Sequence, residues 1–404
     1  MEGKSAPAAA TAIFSAVLDD DDLLGEILVR VAFPTSLVRA ALVCKRWLRL
    51  ASAPAFLRHF RDLHPPSLLG FYVITKAYTP VNNQPPRFVP VPQPPELAAV
   101  VRRASFDLDS SGSDCFDLDY WNGLLLIFYG LGHPGTMVRC PLYPATYTTI
   151  LPPVPNTSIR DGFTYFYHTV YPNGDGDGEL GMSYICLAIG SNEQQSVWDV
   201  YVLQGDVWDV YSSAVTEIKI TGPPLNTLIS HDKVYNLALV SGIYMLVSLD
   251  LASSCLSLVN LPEELKCMSM DLSLANDSGV HLIYVKGSQL NIWHYMVDKK
   301  GLANWLPVDT ICLREICVNH MISTRMFEDV VGGSALMVQA CGVNSGFLFL
   351  EKDCVIYLFD IKRKEAKKVY EVTQEDTYIY GVTPFMMVWP PKFPVMKEGC
   401  DPKE

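Results

Sequence analysis

The side chains best suited to chemistry in this chain are few, and each set falls short of a complete site. "NGDGDG" (Asn173 to Gly178) places Asn173, Asp175 and Asp177 at alternate positions ahead of a glycine, as the oxygen ligands of a calcium loop are placed. Such a loop needs a bidentate Glu at its twelfth position, where Tyr184 stands, and strand patterns flank it, so the stretch reads as a mobile hairpin loop. Cys312, Cys317 and His320 offer metal-ligand chemistry, but a fourth ligand is missing and the surroundings are mixed apolar, which fits buried thiols. The other seven histidines are isolated in the sequence. No glycine-rich phosphate loop, HExxH or GxSxG pattern occurs. Neither a catalytic residue nor a metal or cofactor is therefore expected.

Attention shifts to the elements that carry surfaces. Of 404 residues, 49% are hydrophobic and 18% charged, a composition of ordered globular domains. The net charge of -12 is unevenly spread: Leu23 to Leu63 carries Arg30, Arg39, Lys45, Arg46, Arg49, Arg58 and Arg61 against Glu26 and Asp62. That segment is +5 and the remainder -17. A basic island suits an acidic partner, and the acidic remainder would repel a phosphate backbone, so a protein partner is expected and nucleic acid is not.

Eleven scattered cysteines without a CxxC pair indicate a reducing compartment, cytoplasmic and/or nuclear. The mildly apolar Ala6 to Leu18 is followed by four aspartates and does not read as a signal peptide. Val234 to Leu249 is too short to span a membrane and, interrupted by Ser241-Gly242, reads as a hairpin. No membrane partner is expected.

Between Asp19 and His64 the hydrophobic period is helical. Asp19 to Asp22 can cap a helix whose Leu23, Leu24, Ile27, Leu28 and Val31 share a face. Pro34 stops it, and Thr35 or Ser36 can cap a second helix whose Leu37, Ala40, Ala41, Cys44, Trp47, Leu48 and Ala51 follow i, i+3, i+4 spacing. A third begins near Pro54 and presents Phe56, Leu57, Phe60 and Leu63 before Pro65-Pro66 ends it. Leu37, Val38, Leu42 and Val43 add a second apolar flank. Three helices in about 45 residues are too few to hide every apolar position, so part of this surface needs another cover.

From Leu68 onward the period is two and helix patterns almost vanish. Asn122 to Tyr129, Met182 to Gly190, Val197 to Leu203, Val234 to Val240, Ile243 to Leu251, Leu290 to Val297, Gly346 to Glu351 and Val355 to Ile361 read as strands. A weak repeat joins them: paired apolar strands, an aspartate (Asp250, Asp298, Asp360), then a strand running into Leu-Pro (Leu151-Pro152, Leu261-Pro262, Leu306-Pro307). The 45-residue spacing from Leu261 to Leu306 matches propeller blades. Six units are expected, or seven if Gly162 to Ile220 holds an extra strand pair. The fold class is thus mainly β: a small three-helix domain and a six- or seven-bladed β-propeller-like domain. Its boundaries are a flexible tail over 1–17, helices over 18–64, the β domain over 65–390 and a flexible tail over 391–404.

The helical segment resembles the F-box family on "DDLLGEILVRV", "SLVRAALVCKRW" and "PAFLRHF", in order and at the family's spacing. Where members start with Leu-Pro, this chain has Asp19-Asp20. The β region, with Asn122-Gly123 and its Leu-Pro endings, looks like the F-box-associated propellers common in plant members. This resemblance implies a non-catalytic substrate receptor of a Skp-cullin-F-box ubiquitin ligase, which binds a Skp-type adaptor, through it a cullin scaffold, and a protein substrate still unknown. The adaptor-binding residues implied are Leu23, Leu24, Ile27, Leu28, Val31, Leu37, Val38, Leu42, Val43, Cys44, Lys45, Arg46 and Trp47, with the two cations turned to an acidic rim. The alternative is a propeller enzyme or carbohydrate-binding module with an incidental helical head, which would need converging carboxylates in a central pocket.

Overall fold

The computed structural model describes residues 18–78, 84–108, 115–129, 135–143, 148–153, 163–173, 183–230, 233–262, 269–275, 279–297, 303–314, 336–342, 346–373 and 377–393. The loop over Asp175 to Gly178, and Cys317, His320 and Asp298, lie outside them. The chain forms two compact units, one from Met1–Leu69, Pro92–Arg103 and Met386–Glu404, the other from Gly70–Val91 and Ala104–Phe385.

In the first unit, α1 (Asp21–Val29) starts where the acid run foretold: the Asp20 carboxylate accepts the Asp22 and Leu23 amides at 2.9 and 3.0 Å. Asp21 and Asp22 then sit against the positive end of the helix. Helix α2 (Pro34–Ala41) begins at Pro34 itself, with Phe33 as an uncapped entry residue. Thr35 and Ser36 are therefore inside the helix, and the Thr35 hydroxyl is buried without a hydrogen bond. The continuous helix expected from Leu37 to Ala51 breaks at Leu42 to Cys44, and α3 (Lys45–Ala51) restarts from an extended Cys44 with φ of -162°. Val43 and Cys44 are weak helix formers, and the break re-aims α3 so that Ala51 joins Leu37 and Ala41 in one core. Helix α4 (Pro54–Leu63) contributes Phe60 to that core. A further helix, α5 (Pro95–Arg103), buries Leu97 and was hidden in the sequence by the prolines around it.

The second unit is a six-bladed propeller built of antiparallel sheets. β1 (Leu68–Ala77) and β2 (Arg87–Pro90) belong to the closing blade. The first full blade is β3 (Cys115–Trp121), β4 (Leu124–Tyr129), β5 (Thr136–Arg139) and β6 (Thr148–Ile150). The second is β7 (Thr164–Asn173), β8 (Ser183–Ser191), β9 (Ser196–Gln204) and β10 (Val207–Thr216). The third is β11 (Thr227–Ser230), β12 (Lys233–Val240), β13 (Ile243–Asp250) and β14 (Cys255–Asn260). The fourth is β15 (Met270–Leu274), β16 (Val280–Lys286), β17 (Gln289–Val297) and β18 (Ala303–Cys312). The fifth is β19 (Met337–Cys341), β20 (Phe347–Lys352), β21 (Val355–Asp360) and β22 (Glu365–Glu371). β23 (Thr377–Met386) returns to pair with β1, so both ends of the β region share one sheet. Gly162 to Ile220 holds one blade with strands of nine or ten residues, which accounts for its length without a seventh.

Local chemistry explains the repeat. Asn122-Gly123 and Ser241-Gly242 both take positive φ (41° and 87°, 51° and 83°), the geometry of a two-residue hairpin. Asp250 and Asp360 each accept a backbone amide three residues on, at 2.9 Å from Ser253 and Arg363, and so fasten equivalent turns. Leu151 and Leu261 are buried just after the outer strands β6 and β14. Beside each, a tryptophan of the next blade closes the joint: Trp208 donates its indole N–H to the Pro152 carbonyl at 3.1 Å, and Trp305 to that of Asn260 at 2.9 Å. Leu306-Pro307 is different: it lies within β18, Leu306 is exposed, and just after Pro307, which pairs with Trp293, the register skips Val308 to pair Asp309 with Ile292. It marks a bulge in an outer strand and not the end of a unit.

First strands of successive blades are linked to one another, as by Ser273 Oγ to the Gly342 carbonyl at 2.7 Å and Thr383 Oγ1 to that of Leu118 at 3.1 Å. Apolar layers fill the joints between blades; Trp198 with Leu187, Val234 and Leu249 forms one. At the closing seam Phe88 stacks on Phe106 at 3.8 Å, and Phe385 meets Tyr72, Phe106 and Tyr120 edge-on.

Three first-strand carboxylates are raised by this packing, Asp117 on β3 among them. Burial pushes Asp119 on β3 up to about 7, offset in part by the Tyr120 amide, and Asp271 on β15 up to about 6, offset by Cys341 and the Leu272 amide. Between the ordinary value of 3.8 and these values the folded chain holds protons that the unfolded chain has released. Propeller stability therefore falls as pH rises from about 4 to about 7. Asp119→Asn and Asp271→Asn should flatten that dependence and raise the melting temperature at pH above about 7, measured by calorimetry across pH; an unchanged slope would show that these groups are not its source.

Candidate adaptor-docking surface

The helical unit sorts the predicted docking residues into three groups. Leu24, Leu28 and Leu37 are fully enclosed with Val29, Ala41, Ala51 and Phe60. They hold the unit's own core, so they are corrected from surface anchors to internal ones; an i, i+4 stripe serves both purposes and spacing alone cannot separate them. Val31, Val38 and Trp47 are half-buried, and Val31 and Trp47 pack against this core.

Leu23 and Ile27 on α1, and Leu42 and Val43 in the break between α2 and α3, remain 43–64% exposed. Cys44 and Lys45 are exposed beside them. Leu23 and Ile27 are one turn apart on the same helix face. The α2–α3 break turns Leu42 and Val43 outward, where a continuous helix would have carried at least one of them along its side. These four large apolar side chains are ones that water covers poorly and a partner protein covers well, and Arg39, Lys45 and Arg49, near Leu42 and Val43 in the chain, are exposed too.

Arg46 departs from the expected role. Its guanidinium lies 2.7 Å from the Asp21 carboxylate and donates to the Leu18 carbonyl at 2.5 Å. The side chain thus braces α3 against the start of α1 and does not project to a partner's acidic rim. The aspartates in place of Leu-Pro at the start of the motif gain a physical role, since Asp20 caps the helix and Asp19 lies 3.9 Å from the Arg46 guanidinium.

Enclosing the core takes more than the helices. Trp389 stacks on Phe60 with ring centroids 5.8 Å apart and 10° between planes, and Phe393 packs on the same cluster. The His64 ring centroid lies 4.6 Å from that of Phe60, and the His64 Nε2 is 2.8 Å from the Val29 carbonyl. The Met387 amide donates to the Ser67 carbonyl at 2.8 Å, fixing where the returning chain arrives. Residues assigned from sequence to the end of the β domain and a tail are thus part of the helical core, a contact no local pattern encodes. The remaining tail positions, 1–17 and 394–404, lie outside the described residues.

The alternative of a catalytic pocket bears on the first-strand carboxylates, where burial raises Asp119 and the charges of Asp117 and Asp271 add to it. Asp117, Asp119 and Asp271 each accept the next residue's amide at 2.7–2.9 Å, and Asp271 also accepts the Asn226 side-chain amide. Burial raises the Cys341 thiol beside Asp271 well above its ordinary value, so it is no ready nucleophile. Among the described residues no cluster of three metal-ligating side chains occurs, and Tyr184, at the calcium-loop glutamate position, is buried.

A family model described as F-box protein AT5G49610-like, beta-propeller matches residues 118–393, and an F-box-like model matches residues 13–63. No curated protein matches the chain. Among solved structures, a functionally unknown protein from Desulfotomaculum acetoxidans is 12% identical, with 78% of this chain and 89% of that chain covered and a TM-score of 0.38. A protein from Lactobacillus plantarum is 10% identical, covering 76% of this chain and 83% of its own at a TM-score of 0.38. An oligogalacturonate lyase from Vibrio parahaemolyticus is 10% identical over 63% of this chain and 64% of its own, at 0.35.

Phe60→Ala should destabilise the helical unit by about 3–5 kcal/mol, Trp389→Ala by less, and the double mutant should fall short of their sum by about 0.5–1.5 kcal/mol. Hydrogen exchange of the α1 and α4 amides in the full chain measures this. Additive losses would mean that the two rings do not support each other.

Proposed function

As a member of the F-box proteins with an AT5G49610-like β-propeller, the chain is, we propose, the substrate-recognition subunit of a Skp-cullin-F-box ubiquitin ligase. The helical unit docks a Skp-type adaptor that connects to a cullin, and the propeller holds a protein to be ubiquitylated. The observation that carries this reading is the division within one short helical unit. Leu24, Leu28 and Leu37 are sealed inside, while Leu23, Ile27, Leu42 and Val43 are left outside with no internal use. Large apolar side chains cost free energy in water unless an interface removes them, at about 25 cal/mol per Å² of apolar surface buried.

In this reading the protein is a non-catalytic receptor, and bond-forming chemistry belongs to other subunits. The exposed cations Arg39, Lys45 and Arg49 steer an acidic adaptor. A reducing location, cytoplasm or nucleus, is supported by the eight cysteines among the described residues, all free thiols. No helix among the described residues is long and apolar enough to cross a membrane.

Ile27→Glu and Val43→Glu place charge among the exposed apolar residues and should each weaken capture of a purified Skp-type adaptor by more than about tenfold, with helical circular dichroism unchanged. Leu24→Ala should also lose capture, but with lost helix protection. Wild-type capture by the Ile27→Glu, Val43→Glu double variant would refute the docking surface.

A further inference from the structure

Among the described residues, each propeller blade ends in an outer strand whose far rim of backbone N–H and C=O groups has no partner strand. Soluble proteins blunt such rims with short strands, proline, lysine or bulges. Four of the six outer strands here follow that practice, and a fifth, β14, turns only Cys255 and polar residues outward. β2 and β6 have four and three residues, and β2 ends in Pro90. β14 has six and exposes Cys255, Ser257 and Asn260. β18 carries Pro307 and a register shift, and β22 carries Glu365, Lys367, Lys368 and Glu371.

β10 does not. It runs for ten residues, "VWDVYSSAVT", with neither proline nor a cation. Val207, Val210 and Tyr211 are 58–61% exposed. The register against β9 skips Tyr211, so the bulge turns an aromatic ring outward beside the rim. This strand is held firmly: Trp208 is buried with its indole on the Pro152 carbonyl, and Ser212 Oγ lies 2.8 Å from Ser254 Oγ of the next blade. Exposure here is a property of a fixed edge. Its charge is one-sided, with exposed Asp206, Asp209 and Glu217 against Lys219.

We propose that the β10 edge is a docking strand for an extended segment of a partner protein, which adds to the second blade as a fifth strand and alternates apolar residues with Lys or Arg. Backbone pairing supplies the bonds, Val207, Val210 and Tyr211 the apolar contact, and the three carboxylates select basic side chains. A second copy of this chain is a poorer occupant, because pairing β10 with itself sets acidic residues against acidic residues. The inference concerns the propeller alone and does not depend on the adaptor reading.

The probe is a short fluorescent peptide alternating Lys with Val, titrated into the full chain and followed by anisotropy. It should bind, and binding should weaken about tenfold or more in Asp209→Lys and in Val210→Lys. The same peptide N-methylated at alternate backbone nitrogens, which cannot pair with a strand edge, should lose binding equally, and a Glu-Val peptide should not bind. Val308→Lys on the β18 edge should bind as the unsubstituted chain does. No binding, binding indifferent to the β10 substitutions or to N-methylation, or self-association of the chain that Val210→Lys abolishes would overturn the proposal.

Discussion

The constraint on which the helical unit depends is that about 45 residues of helix cannot close a core around Phe60 unaided. Trp389 and Phe393, far along the chain, complete it. Once that core is shut, the apolar residues left over are not spare packing material. Leu23, Ile27, Leu42 and Val43 sit outside the closed core, and it is on this surplus that the proposed docking of another protein rests. The Asp20 cap and the Asp21 to Arg46 pair set the angle between α1 and α3, and so fix where the surplus is displayed.

The propeller solves a related problem by repetition. A single four-stranded blade has two faces to cover, and neighbouring blades supply the cover at each joint. Tryptophan N–H groups lock two such joints to the carbonyls that close the preceding outer strands. The circle is completed by β23 meeting β1, with the aromatic seam around Phe385 behind it. The innermost strands are linked to one another by side-chain hydrogen bonds, whereas the outer edges remain, and five of them are short, interrupted by proline, or polar.

Much of this was legible before any coordinates. Helical and strand periods separate the two regions, the acid run announces the start of α1, and Ser241-Gly242 announces a hairpin that its positive φ angles bear out, whereas Asn122-Gly123, read as the start of a strand, is a turn of the same kind. The Leu-Pro spacing led to blades, although Leu306-Pro307 is a bulge with the same spelling as a terminus. What was illegible is non-local or degenerate. A heptad-like stripe does not say which of Leu23 and Leu24 faces inward, and the break at Val43 changes the face that Leu42 presents. Nothing near Trp389 in sequence indicates that its ring lies on Phe60.

Hydrogen exchange of the full chain with and without a purified Skp-type adaptor tests the assignment of the docking surface most directly. New protection confined to the turns bearing Leu23 and Ile27 and to the Leu42–Lys45 break, with propeller amides unchanged, is the result this structure calls for. Protection that appears on the propeller alone, or nowhere, would contradict it.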